Sequence, residues 1–271
     1  MTDYLVLPHL KVQQANIYNA AFLVGGPPVL AAWFMAHALG RKLEQADDVH
    51  SLAFVLHSLT PLGEWFYGNF NPQLRRGAAY TFGPGKNGSD YSSKNKQALS
   101  LQPVACAHME ISLVIGFRDL LGLDNIPPLV QGGRLAGGLI TSMGRPANCD
   151  NIFDALASIK SGYLVMDRRD LMEQGEGNRA ERFIAALGHK AEKDDGMGWL
   201  SATCLGYAAI SPFAKRAGAR EGYLHAFAEP LIGLVQYRSL RQCLDEDLAK
   251  QALWRPEWVT NNVFRIYQKQ A

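Results

Sequence analysis

Two stretches of period-two alternation constrain this chain more than anything else in it. In residues 5–14, Val6, Leu10 and Val12 fall on one side and His9, Lys11 and Gln13 on the other. In residues 107–115, Ala107, Met109, Ile111, Leu113 and Ile115 alternate with His108, Glu110, Ser112 and Val114. A strand sends successive side chains to opposite faces, so both stretches read as half-buried strands with a polar outer face. Helical patterns lie between and beyond them, which makes the fold class α+β.

The rest of the pattern fills in around these strands. Gly25-Gly26-Pro27-Pro28 turns the chain, and proline suits the first positions of a helix. Residues 29–43 read as that helix, with Leu30, Trp33, Phe34, His37 and Ala38 on its buried side and Arg41 and Lys42 complementing its dipole in the last turn. Residues 52–59 form a strand or a helix, and 139–142 a strand after a glycine loop. Residues 151–162 and 180–188 read as helices around a short strand at 163–166. Segments 173–179 and 190–198 read as exposed loop, 199–210 and 223–237 as core strands, and 240–253 as an amphipathic helix. No internal repeat or Pro/Ser-rich linker marks a domain boundary.

With 48% apolar residues in 271, the chain can bury one substantial core or two modest ones. Lys and Arg number 27 against 25 Asp and Glu, a balance that neither demands nor excludes nucleic acid, because clustering decides binding. Cys106, Cys149, Cys204 and Cys243 form no C-x-x-C pair, which argues against a zinc site or disulfide framework and fits a reducing cytosol. The start lacks a basic signal region, and the apolar stretch 20–39 is broken by the glycine–proline turn, so the expectation is a soluble intracellular protein. There is no G-x-S-x-G, H-E-x-x-H, Walker lysine or G-x-G-x-x-G.

Three features carry the chemistry. The tract Gly132-Gly133-Arg134-Leu135-Ala136-Gly137-Gly138 surrounds one arginine with four glycines. It reads either as a backbone cradle for a phosphate, clamped by Arg134, or as a tight strand–strand turn with a surface arginine. Residues 68–102 form a long irregular insert in which Arg75, Arg76, Lys86, Lys94 and Lys96 face the single acid Asp90, with Tyr80, Phe82 and Tyr91 interleaved. Such a basic aromatic arm suits single-stranded RNA, and a solvated loop remains the other reading. His9, Lys11 and Gln13, with Asn16 beyond them, are donors able to meet base edges or ribose hydroxyls, although polar strand faces are often only solvated. The seven histidines show no metal-pair spacing, and His108 or His9 could act as a general base.

Together these stretches resemble one family. The opening Leu7-Pro8-His9-Leu10-Lys11-Val12-Gln13-Gln14-Ala15-Asn16, then Gly26-Pro27, then His37-Ala38-Leu39-Gly40-Arg41-Lys42-Leu43, is similar to the start of the second Csy subunit of type I-F CRISPR surveillance complexes (the Cas five group of the RAMP superfamily). His108-Met109-Glu110-Ile111-Ser112-Leu113-Val114-Ile115 resembles that family's second strong strand, and Arg134-Leu135-Ala136-Gly137-Gly138-Leu139-Ile140 its Arg-Leu-Ala-Gly-Gly segment. Glu229-Pro230-Leu231-Ile232-Gly233-Leu234 and Trp254 fit its C-terminal part less closely. Gly25-Gly26-Pro27-Pro28 stands where the family has Gly-Phe-Pro, and the short chain implies reduced peripheral helices.

The resemblance implies a ferredoxin-like (RRM-related) RAMP core over residues 1–271, with a protruding basic thumb at 68–102, a peripheral helical and loop region at 143–198, and C-terminal strands and helices. It implies a non-catalytic cytoplasmic subunit, without cofactor, metal or membrane, that binds and caps the 5′ handle of the CRISPR RNA. Its partners would be the backbone (Cas seven type) subunit, the large (Cas eight type) subunit where present and, through the complex, target DNA. Because the chain begins at the family's first strand, it would be the form not fused to the large subunit. On this reading, amides around Gly133, Gly137 and Gly138 approach handle phosphates and Arg134 clamps them. His9, Gln13 and Asn16 contact bases or ribose, Arg75, Arg76 and Lys86 hold RNA backbone, and Tyr80 and Phe82 stack or wedge. The alternative is a RAMP-type endoribonuclease that processes repeat RNA with His108 or His9 as general base.

Overall fold

The first alternating stretch is a long strand, β1 (Asp3–Asn16), broken twice by bulges. This is seen in a computed structural model that describes residues 2–20, 23–72, 105–120, 122–174, 176–190, 198–216 and 222–269. His9 and Gln14 sit at positive φ, 52° and 54°, where the register with the neighbouring strand shifts. An extra residue inverts the side-chain parity of a strand. Leu5 and Leu7 therefore share one core with Leu10, Val12 and Ala15, while Val6 joins a second core on the other face. Simple alternation groups Val6 with Leu10 and Val12; the bulge at His9 corrects that grouping.

After β1 come β2 (Tyr18–Ala20), β3 (Leu23–Val24), α1 (Val29–Lys42), β4 (Val49–Pro61) and the hairpin β5 (Gly63–Phe66) and β6 (Asn69–Pro72). Then follow β7 (Cys106–Phe117), α2 (Ile126–Val130), β8 (Arg134–Leu135), β9 (Gly138–Ser142), β10 (Ala147–Cys149), α3 (Ile152–Ile159) and β11 (Tyr163–Asp167). The C-terminal part holds α4 (Asp170–Glu173), α5 (Arg179–Gly188), β12 (Leu200–Ala209), β13 (Ala228–Ser239), α6 (Leu240–Cys243), α7 (Glu246–Gln251), β14 (Trp254–Thr260) and β15 (Val263–Gln268). The ambiguous stretch 52–59 is thus a strand. The helix expected over 240–253 is two helices, because Asp245 caps a new start by accepting the Leu248 amide at 2.7 Å.

Every described pairing in the large sheet is antiparallel, in the order β11-β13-β12-β15-β14-β4-β7-β1-β9-β8, with β10 added on β1. The outer edge of β4 pairs with β14 at Leu52 and with β11 at Val55 and Leu56. The C-terminal strands therefore close into a circuit through β4, while β7, β1, β9 and β8 extend from its other edge. The result is a mixed α and β fold dominated by antiparallel sheet. Among the described residues, no helix is long and apolar enough to cross a membrane.

Two helical layers explain the two cores. The first core lies under α1, whose buried stripe is Val29, Ala32, Trp33, Ala36 and Gly40, the spacing of one helix face. Leu30 and Trp33 of the expected face are buried, with Leu39 beside them, while Phe34 is 45% exposed and His37 and Ala38 are half-buried, so the buried face is rotated from the expected one. The second core lies on the opposite sheet face, where α3 and α7 cover Val6, Ala53, Val55 and Val114. A β-α-β-β start is present in β1, α1, β4 and β7, with β7 between β1 and β4. Thereafter α3 packs on the face away from α1, and β11 joins β13 and β4 instead of β1.

Trp254 anchors the closed circuit. It is fully buried and donates from Nε1 to the Val165 carbonyl at 3.1 Å, which removes the penalty of burying an indole N–H. Gln268 donates to the carbonyls of Val165 and Ala252 and accepts the Asp167 amide at 2.7 Å. These bonds tie β11, β14 and β15 together under the sheet.

Candidate nucleic-acid interface

Beyond the part of the sheet that α3 and α7 cover, one face of β7, β1, β9 and β8 is polar and left open by the described residues. Directly paired residues in an antiparallel sheet share a face. Lys11 pairs with Glu110 on β7, and Gln13 pairs with Leu139 on β9, which in turn pairs with Arg134 on β8. Gln13, Leu139 and Arg134 thus form one row across three strands, with Lys11 and Glu110 in the next. Lys11, Gln13, His108 and Arg134 are all exposed. The Gly144 amide donates to the Pro8 carbonyl at 2.8 Å, which sets exposed Arg145 beside the first bulge.

At that bulge lies a cluster that the sequence pattern did not reveal. His9 Nδ1 is 2.7 Å from Glu110 Oε1, and the His9 ring stacks on His57 with centroids 4.4 Å apart. His57 reaches the site because β4 shifts register against β7 between Leu56 and Ser58. The buried Ser112 hydroxyl accepts the His9 amide at 2.9 Å and lies 2.6 Å from His57 Nε2. Two bulges on flanking strands are pinned by one serine of the strand between them. Partial burial, reinforced by neighbouring His9 and opposed by Glu110, holds the His57 imidazole below its usual range. Only register, not spacing, brings Glu110, Ser112 and His57 to His9. His108 stands a little apart, its Nδ1 accepting the Gln14 amide at 3.4 Å.

The glycine tract is a tight hairpin between β8 and β9. Ala136 and Gly137 both have positive φ, 48° and 76°, as a two-residue primed turn requires. Gly138 is glycine for a different reason: a Cβ there would come within 2.6 Å of the Ala15 amide nitrogen and 2.7 Å of the Gln13 carbonyl. The hairpin lies directly on the second bulge of β1, where the Asn16 amide also donates to the Ala136 carbonyl at 2.8 Å. The Gly133 amide donates to the Val130 carbonyl at 3.0 Å, so it is not a spare donor for a phosphate. That use corrects the picture of a backbone cradle around Gly133. Arg134 bridges its own turn, donating from Nη1 to the Gly137 carbonyl at 2.9 Å, and remains exposed on the open face.

His9, Gln13 and Arg134 are therefore brought onto one face. Asn16 stands at the far end of that face, paired with Cys106 in line with His108 and Glu110, and also lines a cavity of about 150 Å³ with Tyr18, Asn19, Phe34, Ala136 and Tyr207. Arg75, Arg76, Tyr80, Phe82 and Lys86 lie outside the described residues. The β5–β6 hairpin leads into their insert and, before the insert begins, exposes Trp65, Phe66 and Tyr67. Among the described residues, no group of His, Cys, Asp and Glu is placed to hold a metal ion.

Fold and face together define an antiparallel-sheet α and β protein with one strand face left open and polar. The chain belongs to the family of CRISPR-associated proteins Cas_Csy2, whose family model matches residues 5–189. It is thus a Csy2-type (Cas five-like) subunit of type I-F CRISPR complexes, proteins of antiviral defence. A search of curated proteins gives no match. The matched region runs from β1 to just past α5 and contains the whole polar face; β12 to β15 lie beyond it.

Proposed function

We propose that this chain is a non-catalytic subunit that holds the 5′ handle of the CRISPR RNA on the open face of β7, β1, β9 and β8. The observation that carries this reading is the in-register row from Gln13 through Leu139 to Arg134, beside Lys11 and His9, on a chain of this family. Arg134 and Lys11 would meet phosphates, while Gln13 and His9 would meet bases or ribose hydroxyls. The β-α-β-β start would be part of a RAMP core, and residues 68–102 a thumb reaching the backbone subunit. The large subunit and, through the complex, target DNA would be further partners.

The endoribonuclease alternative has one observation in its favour, the Glu110–His9 contact, which resembles a carboxylate orienting a general base. The geometry around it argues the other way. Acid–base cleavage by two histidines needs the phosphate between them, and the His9 and His57 rings are already stacked at 4.4 Å. Incubating the purified chain with repeat RNA, without divalent metal, should give retention and no cleavage. Specific cleavage lost on His9→Ala or His108→Ala would establish the enzyme instead. Arg134→Ala and Lys11→Ala should each weaken handle binding at low salt, and wild-type affinity should fall steeply as salt rises. Unchanged affinity in both variants would overturn the assignment of this face.

A further inference from the structure

Beyond the family match, the C-terminal strands build an aromatic slot that the polar face leaves unexplained. Trp258 pairs with Phe264, and Phe264 pairs with Tyr207, so three rings stand in a row on one face of β14, β15 and β12. The Trp258 and Phe264 rings meet edge to face at 5.3 Å, and α1 lays Phe34 over Phe264 at 5.8 Å. Beyond the row, Ala209 and its partner Ala228 leave a depression that Phe213 closes from the far side. The cavity measures about 290 Å³, and Trp258 is 60% exposed at its mouth.

The wall bearing Phe213 is an arm that continues β12 and β13. Its two sides are joined by reciprocal bonds between Ala214 and His225, at 3.0 and 2.9 Å. Its described residues, 211–216 and 222–227, carry Lys215, Arg216 and His225 and no acid, interleaved with Phe213, Tyr223 and Phe227. The Arg216 guanidinium lies over the Phe227 ring at 4.8 Å. Flat rings beside cations match a base with its phosphate, whereas an aliphatic peptide would gain nothing from the cations. The slot is also continuous with the proposed RNA face. The cavity holding Asn16 and Ala136 shares Phe34 and Tyr207 with it, and so leads from the end of β1 and the Arg134 hairpin into the slot.

We propose that this slot takes one nucleobase of single-stranded RNA, stacked against Trp258, Phe264 and Phe34, with the adjoining phosphates near Lys215 and Arg216. The proposal rests on the RNA-binding reading above and extends it to a base subsite. The test uses the full chain and handle RNAs carrying a single abasic site at each position in turn. Trp258→Ala should weaken binding of intact RNA roughly 5- to 150-fold, the range for losing one stacked base. One abasic position should weaken the wild type similarly, and Trp258→Ala should cause no further loss there. Trp258→Phe, which keeps a ring, should restore most of the affinity and so exclude misfolding as the cause. Full affinity in Trp258→Ala, with Arg134→Ala still impaired, would overturn the slot and leave the polar face standing. Losses that add at every abasic position would also overturn it, marking the row as a protein-docking surface. If the wild type binds no handle RNA, both readings fall.

Discussion

The polar face and the aromatic slot sit on the same antiparallel sheet, yet they are built from opposite materials. On β1 and β7 the outward residues are His9, Lys11, Gln13, His108 and Glu110, set on strands whose inward residues are uniformly apolar. On β12, β14 and β15 the outward residues are Tyr207, Trp258 and Phe264, on strands interrupted by Gly206, Pro256 and charge. A polar face announces itself within one strand. An aromatic platform exists only once three strands from distant parts of the chain come into register. The two regions share a foundation, because β4 carries β7 on one edge and β14 and β11 on the other.

That shared foundation gives the largest expected effect. Trp254→Ala would empty a fully buried site and remove one of the two side-chain hydrogen bonds to the Val165 carbonyl, costing about 3–5 kcal/mol. Thermal unfolding should show a single lower transition; two separated transitions would break the comparison by making the regions independent folding units. The next effect separates the regions. Arg134→Ala should cost about 1.5–3 kcal/mol of handle affinity, as for a charge-assisted bond, without lowering thermal stability. Gly138→Ala should do the converse, forcing a methyl group against the β1 backbone at about 1–3 kcal/mol of stability. A wild-type melting temperature for Gly138→Ala would mean that the hairpin is not held against the second bulge.

The smallest effect concerns pH and only the polar region. His57 titrates below its ordinary value, so between that lowered value and about 6.5 the unfolded chain binds more protons than the folded one. Its contribution is complete above about pH 6.5 and is lost as the pH falls through the lowered value. His50 is shifted the same way, by burial first and then by Arg255 and Arg118 against a hydrogen bond involving Phe117. His57→Gln should therefore flatten part of the acid-side decline in melting temperature and not all of it. An unchanged slope would show that the stacked histidine pair does not couple folding to protonation.

The sequence made β1 and β7 readable because each strand packs one face and leaves the other wet. Alternation does not show where β1 bulges, so it places Val6 on the wrong side and leaves His57, Ser112 and Glu110 unconnected to His9. Residues 52–55 are buried on both faces, and a continuous apolar run carries no period to separate strand from helix. Phe34 reads as core by size, but the small residues Ala32, Ala36 and Gly40 take the buried stripe and turn it outward to the slot. Strands β14 and β15 gave no sign in the pattern: Arg255, Pro256 and Glu257 interrupt the apolar period of the first, and its proline argues against a paired strand. For the glycine tract, the residue types allow a phosphate cradle or a turn. The chain forms a turn, with the Gly133 amide bonded to Val130 and Gly138 packed against β1, and only partner bonding and packing, which no residue pattern displays, show that Gly133 is not a spare donor.

The central claim is that RNA lies on the open face of β7, β1, β9 and β8, and crosslinking tests it most directly. Handle RNA should be photo-crosslinked within the assembled complex and the modified peptides of this chain mapped. The expected result is adducts in residues 9–16 and 134–141, reduced by Arg134→Ala. Adducts elsewhere in the chain or on other subunits, with none on those two segments, would contradict it.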